Sequence, residues 1–266
     1  MELFRVIYDE YGRTGNRFLS YLDSVGWAIV RNKKVIILFP EEEMKYYDNF
    51  RNSNYISLPL WGKPKIVWRI CRKIFFYNRL IQLFYKTRLS RSMGFYAGWD
   101  LRDSMQYFPQ VYDKIVELFT PNKSITDDVD RIFKNERQEG RTLVGVHIRR
   151  GDYRTYLGGA SFYDDDVYLR FMQQIEGMFP NVAFYLSSDE PLSDDYKKYH
   201  ITEKNGNSAA YDMYALSKCD YIIGPGSTFS GWASFIGKNK LRHIESKDEI
   251  LTISSFVTGI RESLCE

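Results

Sequence analysis

One short stretch carries most of the residues able to do chemistry: Val144-Gly145-Val146-His147-Ile148-Arg149-Arg150-Gly151-Asp152-Tyr153. It begins as an apolar run and ends with an imidazole, two guanidiniums and a carboxylate. In a β-strand, successive side chains point to opposite faces. Val144, Val146 and Ile148 then share one face, and Gly145, His147 and Arg149 the other. A strand that presents His and Arg and then halts at a glycine runs out toward a cleft. In open α/β sheets, ligands bind beyond the carboxyl ends of parallel strands. Two guanidiniums there suit a pyrophosphate, because Arg offers a rigid donor fork to phosphate oxygens. Two plainer readings compete. Arg150-Gly151-Asp152 spells the adhesion tripeptide, but adhesive loops need an exposed, mobile tip and this one follows directly on an apolar strand. Arg149 or Arg150 paired with Asp152 on the surface would stabilise by only about 0–1 kcal/mol.

The elements around this stretch follow from periodicity. Over residues 163–179, Tyr168, Phe171, Met172, Ile175 and Met178 form one helical stripe, with Pro180 just past the end. Residues 182–186 read as a buried strand ending in Ser187-Ser188-Asp189-Glu190. A helix over 211–217 carries Asp212, and a strand over 221–223 leads into Gly224-Pro225-Gly226-Ser227-Thr228-Phe229-Ser230-Gly231-Trp232. Such a strand–turn–helix sets hydroxyls and N–H groups at a helix start, a natural anion site. The chain opens in the same way. A strand over 4–8 runs through Asp9 and Glu10 into Tyr11-Gly12-Arg13-Thr14-Gly15-Asn16-Arg17, then a helix over 18–31 and a strand over 35–39. That is a βαβ beginning.

Read together, these motifs carry a resemblance. His147-Ile148-Arg149-Arg150-Gly151-Asp152-Tyr153 resembles the His-x-Arg-Arg-x-Asp-Tyr signature of the α-1,2-fucosyltransferases, glycosyltransferase family 11. Gly12-Arg13-Thr14-Gly15-Asn16 is similar to that family's N-terminal Gly-Arg-x-Gly-Asn-Gln, with Arg17 in place of Gln. Gly98-Trp99-Asp100 through Tyr107-Phe108 resembles its Gly-Tyr-Trp-Gln…Tyr-Phe segment in shifted form. The strand ending in Ser188-Asp189 also matches. So do the stretch from Asp212 through Cys219 and the core Ser227-Thr228-Phe229-Ser230, with Gly226 and Gly231 departing at its flanks. The likeness covers about residues 8–35 and 95–240 and leaves 40–92 unmatched.

The resemblance implies an α/β protein of two facing Rossmann-like domains, the GT-B-type architecture, with the donor held between them. It implies inverting transfer of fucose from GDP-fucose to a glycan hydroxyl, in α-1,2 linkage, for bacterial surface polysaccharide. No metal or other cofactor is expected. The alternatives are another GDP-sugar, or a non-catalytic relative that binds a sugar nucleotide or glycan. By the same resemblance Arg149 contacts the donor phosphates, His147 sits near the nucleotide, and Asp152 matters for activity through a role left open, orienting an Arg being one option. Gly12, Gly15, Asn16, Arg150, Ser187, Asp189, Asp212, Ser227 and Thr228 are the donor-binding candidates. The general base stays open among Asp9, Glu10, Asp152 and Asp189, which all end strands. An acceptor held by the N-terminal domain favours Asp9 or Glu10.

Bulk properties narrow the class. At 266 residues the chain fits two modest domains, expected at 1–125 and 140–245, with a boundary in the polar stretch 122–141. Residues 246–266 are expected to pack back as a helix. The hydrophobic content of 44% is ordinary for a soluble protein. A net charge of +3 is too small to argue for nucleic acid. Cys71, Cys219 and Cys265 are odd in number, without a C-x-x-C, which speaks against a disulfide scaffold or zinc site. With no signal-peptide pattern and no apolar run of about 18 residues, a cytoplasmic enzyme is expected. Asp164-Asp165-Asp166 has metal-motif spacing but opens a helix, where acids complement the dipole. Residues 49–99 hold no Asp or Glu and many cations. The segment 51–91 reads either as a basic amphipathic helix lying on an anionic membrane, or as one packed by its apolar stripe with a solvated basic face.

Overall fold

Two β-sheets, one in each half of the chain and parallel but for one edge strand, organise the structure. The computed structural model describes residues 3–10, 12–97, 104–202 and 208–258. The chain divides into two units, Met1–Asn122 and Lys123–Glu266.

In the first unit β1 (Phe4–Ile7), β2 (Lys34–Ile37), β3 (Ile56–Ser57) and β4 (Phe95–Tyr96) lie in the order β3-β2-β1-β4, all parallel. Helix α1 (Thr14–Arg31) connects β1 to β2. It starts four residues earlier than its apolar spacing predicts. The cause is Gly12, whose φ of +65° turns the chain so sharply that Thr14 already begins the helix. Phe18, Leu22, Val25 and Ala28 of α1 are fully buried. The helix ends at left-handed Asn32, whose N–H is directed to Ala28 O and Ile29 O. Much of the aromatic content is packing: Phe119 lies 5.2 Å from Phe18 and 4.8 Å from Phe50, ring centre to ring centre. Short helices α2 (Asp48–Arg51), α3 (Lys65–Tyr77), α4 (Arg79–Tyr85) and α5 (Arg88–Ser92) follow, and α6 (Ser104–Leu118) closes the unit. Gly98-Trp99-Asp100 lies outside the described residues, as do the side chains of Tyr107 and Phe108.

The second unit starts where a polar boundary was expected. Residues 123–138 form helix α7 (Lys123–Gln138), with Ile125, Val129 and Phe133 buried on a narrow stripe at every fourth residue. A stripe that narrow reads as polar in composition, yet it suffices to seat a helix. Tyr211 Oη donates to Asp128 of α7 at 2.9 Å. The sheet runs β6-β5-β7-β8-β9, from β5 (Thr142–Ile148), β6 (Val182–Ser188), β7 (Tyr221–Pro225), β8 (Lys240–Ile244) and β9 (Val257–Thr258). All neighbours are parallel except β9, which runs antiparallel to β8. Helices α8 (Asp165–Met178), α9 (Ala209–Ser217) and α10 (Thr228–Gly237) cover its faces. As predicted, Val144, Val146 and Ile148 share one face, in a core with Phe171, Met172 and Ile175 of α8. Gly145 faces Leu216 and Cys219 on the other. Both faces are covered, so β5 is apolar nearly throughout.

One expectation is corrected at the end of the chain. The described part of residues 246–266 is not helical: it makes a turn at Ile253–Ser255 and then strand β9. Serines, threonines and β-branched residues dominate there and disfavour a helix. Residues 259–266 lie outside the described part. Among the described residues no helix is long and apolar enough to cross a membrane.

The second sheet brings two strands unusually close at Gly224 of β7. A Cβ there would stand 2.6 Å from His147 O and 2.9 Å from His147 Cβ. Strand backbone cannot yield by that much. Gly224→Ala should therefore lower unfolding free energy by roughly 1–3 kcal/mol in denaturant titrations. A fully stable alanine variant would show that β5 and β7 have more room than this.

Candidate active site

Where β5 leaves the sheet, its two arginines part company. Arg149 Nε and Nη2 donate to the two carboxylate oxygens of Asp152, at 3.1 and 3.0 Å. The guanidinium lies 5.0 Å from the centre of the Tyr153 ring. The fork is thus fixed on two sides. Two of its five N–H groups are used, and three remain for an anion. The ion pair foreseen as a plain surface contact exists, but Arg149 is only 16% exposed. A pair of this kind orients the guanidinium as well as balancing its charge.

Arg150, also expected at the donor, turns the other way. It is buried, donates through Nε to Tyr163 O at 3.2 Å, and pairs with Asp165 in the first turn of α8. It also lies over the Tyr168 ring. Its place is inside the second unit, under the turn. Burial raises the pKa of the Asp165 carboxyl, but hydrogen bonds from Arg150 and Tyr196 bring it below the ordinary value. Asp164 caps α8 by accepting from Val167 N. Asp164-Asp165-Asp166 thus starts a helix, as the sequence suggested. Burial of Arg150 also speaks against the adhesion reading of Arg150-Gly151-Asp152, since its guanidinium is not presented.

The neighbouring strand ends complete the setting. Asp189, just past β6, accepts from Arg150 N at 2.9 Å and so holds the start of the turn. Asp212 of α9 accepts from Ser187 Oγ at 2.9 Å and from Tyr185 Oη at 2.7 Å. Through these hydrogen bonds Ser187, Asp189 and Asp212, all expected at the donor, brace β6, α9 and the turn. On the other side Tyr153 Oη donates to Gly226 O at 2.7 Å, tying the turn to the start of α10. Ser227 caps α10, its Oγ accepting from Phe229 N, and half-buried Thr228 is the first helical residue. His147 is buried and stacks on Phe229, ring centres 5.0 Å apart. Its Nδ1 has no hydrogen-bond partner. Burial, and then the charges of Arg149 and His243, push its pKa down to about 3, so the ring is neutral. The sheet edge of the second unit therefore brings Arg149, Asp152, His147, Ser227 and Thr228 together. A fixed guanidinium beside a helix N-terminus is an anion site.

Sequence reasoning gave no role to Tyr153, Phe229 or His243. The first two stand inside quoted motifs. His243 comes from β8 and bonds Ser230 of α10 at 3.2 Å, with no local signal.

The glycine turn of the first unit is built around Arg17. Its guanidinium donates to Phe39 O at 3.1 Å and to Gly12 O at 3.5 Å, and pairs with Glu41 at 3.0 Å. Thr14 Oγ1 donates to Glu41 at 3.1 Å. The Asn16 side chain lies across Gly12, where a Cβ would stand 2.3 Å from Asn16 Nδ2, and Gly15 is buried in the first turn. The cation at position 17 thus clamps the turn to the end of β2. Asp9 and Glu10 are half-buried just past β1. Glu10 pairs with Arg72 of α3 and lies 3.9 Å from Arg17. Among the described residues no three His, Cys, Asp or Glu side chains cluster as for a metal ion.

The chain has known relatives. Residues 76–249, more than half the chain, match the family described as Glycosyl transferase family 11. The chain belongs to that family, and its role is glycosyl transfer. It is 24% identical over 243 residues to an alpha-1,2-colitosyltransferase of Escherichia coli, covering 86% of this chain and 74% of the relative. It is 22% identical over 210 residues to the O-antigen biosynthesis glycosyltransferase WbnK of Escherichia coli, covering 75% and 70%. In fold it is similar to the NodZ alpha-1,6-fucosyltransferase soaked with GDP-fucose, with a TM-score of 0.54, 16% identity and coverage of 96% and 97%. The fold is the GT-B type of Rossmann-like α/β units.

The buried imidazole makes a testable pH signature. An unfolded His titrates near 6.5, and His147 in the fold near 3, so between those values the unfolded state binds the extra proton. Stability from this group is full above about pH 6.5 and is lost as the pH falls toward 3. Thermal melts of His147→Asn across pH 7 to 4 should show a shallower loss than wild type. Parallel curves would mean that His147 titrates normally.

Proposed function

We propose that the protein is an inverting glycosyltransferase that moves fucose from GDP-fucose to a hydroxyl of a glycan acceptor, in α-1,2 linkage, for a bacterial surface polysaccharide. One observation carries this reading. The Arg149 fork is held by Asp152 and Tyr153 with three N–H groups to spare, beside neutral His147 and the capped start of α10. As the sugar–phosphate bond breaks, charge builds on the leaving diphosphate. Preorganised donors stabilise it without reorganisation. Arg149 supplies the fork, and Ser227 and Thr228 lie at the helix start. Asp152 is a positioning residue that keeps the guanidinium flat and in place. His147, neutral and stacked on Phe229, offers the nucleotide an uncharged ring edge. Gly12, Gly15 and Asn16 are assigned to donor binding in this reading by the family resemblance alone. Deprotonation of the attacking hydroxyl falls to Asp9 or Glu10.

In this reading no metal takes part, since the guanidinium and helix start carry the leaving charge. The free thiols Cys71 and Cys219 suit a cytoplasmic location. A second reading keeps the chemistry and changes the sugar: the Escherichia coli alpha-1,2-colitosyltransferase relative favours colitose as the alternative sugar. Thermal-shift titration with GDP-sugars separates the two. A true donor at about 100 times its dissociation constant should stabilise by roughly 2.7 kcal/mol.

Arg149→Ala should stay folded and lose transfer by roughly 100-fold or more, the scale of one charge-stabilising donor. Arg149→Lys should recover little, because a point charge lacks the fork. Near-normal turnover in the alanine variant would remove the assignment. Transfer should also persist in excess EDTA. Loss on chelation, restored by Mn²⁺ or Mg²⁺, would move leaving-group stabilisation to a metal.

A further inference from the structure

Helix α3 has two apolar faces, and only one is used. Trp68 and Phe75 pack on Phe39 at ring-centre distances of 5.8 and 6.5 Å, and Trp68 Nε1 donates to Leu60 O at 2.7 Å. The other face looks outward. Ile66, Ile70 and Ile74 recur every fourth residue and are 54%, 52% and 45% exposed, and Tyr77 beyond them is 75% exposed. Leu80 and Leu83 of α4 and Leu89 of α5 continue as exposed apolar side chains. The inward-packed reading of this segment therefore leaves Ile66, Ile70, Ile74, Tyr77, Leu80, Leu83 and Leu89 unaccounted for.

The charges are arranged to match. Lys65, Arg69 and Lys73 each directly precede one of the three isoleucines. In a helix this sets a cationic row about 100° round from the apolar row. Lys65, Arg69 and Lys73 are all exposed. Arg72 is not in this row and turns to Glu10. Arg79, Lys86 and Arg88 extend the basic surface through α4 and α5, and residues 49–99 contain no carboxylate side chain. An exposed run of isoleucines is unfavourable in water, so it marks a contact surface. A second copy of this chain is a poor partner. A two-fold contact apposes the same patch on both copies, and here it would set cation against cation with no local acid to pair. An anionic leaflet satisfies both rows at once. The apolar row enters the boundary between headgroups and acyl chains, and the cations meet lipid phosphates.

We propose that α3 to α5 form an in-plane docking surface for an anionic lipid bilayer, with Ile66, Ile70, Ile74 and Tyr77 entering the interface and Lys65, Arg69 and Lys73 binding lipid phosphates. This holds whichever sugar is transferred. The full chain is sedimented with vesicles of phosphatidylcholine alone or with about 30 mol% phosphatidylglycerol, an anionic leaflet of ordinary charge density. Binding to the anionic vesicles at low salt should exceed that to the neutral ones by roughly tenfold or more. It should fall in about 0.5 M NaCl, where the screening length is about 4 Å. Ile66→Ala/Ile70→Ala/Ile74→Ala, which keeps helix propensity, and Lys65→Glu/Arg69→Glu/Lys73→Glu should each abolish pelleting. Both should keep the wild-type circular dichroism and the wild-type thermal shift with GDP. Wild type that ignores anionic vesicles at low salt overturns the proposal. So does undiminished binding in both triple variants, which would move the surface elsewhere. A dimer in light scattering that dissociates in the alanine variant, without vesicle binding, would give the face to a second copy instead.

Discussion

The guanidinium of Arg150 is withdrawn from water beneath the turn after β5, where Asp165, Tyr163 O and Tyr196 receive it. A buried charge costs several kcal/mol unless it is paired and hydrogen-bonded, and removing one partner leaves the other stranded. Once made, this pairing leaves the turn little freedom. It joins the end of β5 to the first turn of α8, and Asp189 holds the same residue by its backbone N–H. Arg149 is thereby delivered to the sheet edge with its fork against Asp152. Two adjacent arginines serve opposite purposes, one as anchor and one as functional group. Their divergence follows from the strand ending at Ile148.

The first unit solves a similar problem with a different cation. Arg17 ties its glycine turn across to the end of β2. Glu41 is the counterpart: burial raises its pKa while the Arg17 charge and Thr14 pull it down. Position 17 departs from the family pattern, but the departure is used. Glu10 is drawn toward both Arg17 and Arg72, so the end of β1, the glycine turn and helix α3 form one charged network.

That network also explains how α3 can keep an outward apolar face. Trp68, Phe75 and Arg72 fasten one side of the helix to the unit, by packing and by the ion pair with Glu10. The isoleucine row is then not needed to hold the helix in place. It is free to be a surface.

Much of this was written in the chain itself. Periods of two and of about 3.6 placed β5, β6, α8 and the core face of Val144, Val146 and Ile148. Short-range signals were enough there, because strands buried on both faces and helices covering them must be apolar at those spacings. The motif residues were legible as a group for the same local reason. What the sequence could not decide was direction. Arg149 and Arg150 are alike in composition, and only Asp152 on one side and Asp165 on the other sort them. Ser187, Asp189 and Asp212 read as ligand contacts in the sequence, which could not show that they also brace the strand ends through Tyr185, one another and a backbone N–H. Helix α7 was hidden by its charges, because a stripe of three apolar residues is outvoted in composition and is decided by the sheet it covers. The isoleucines of α3 were visible as an amphipathic pattern. Which of the two apolar faces turns inward depended on Phe39, a residue distant in sequence. Periodicity reports that a face exists, and only the tertiary structure says what meets it.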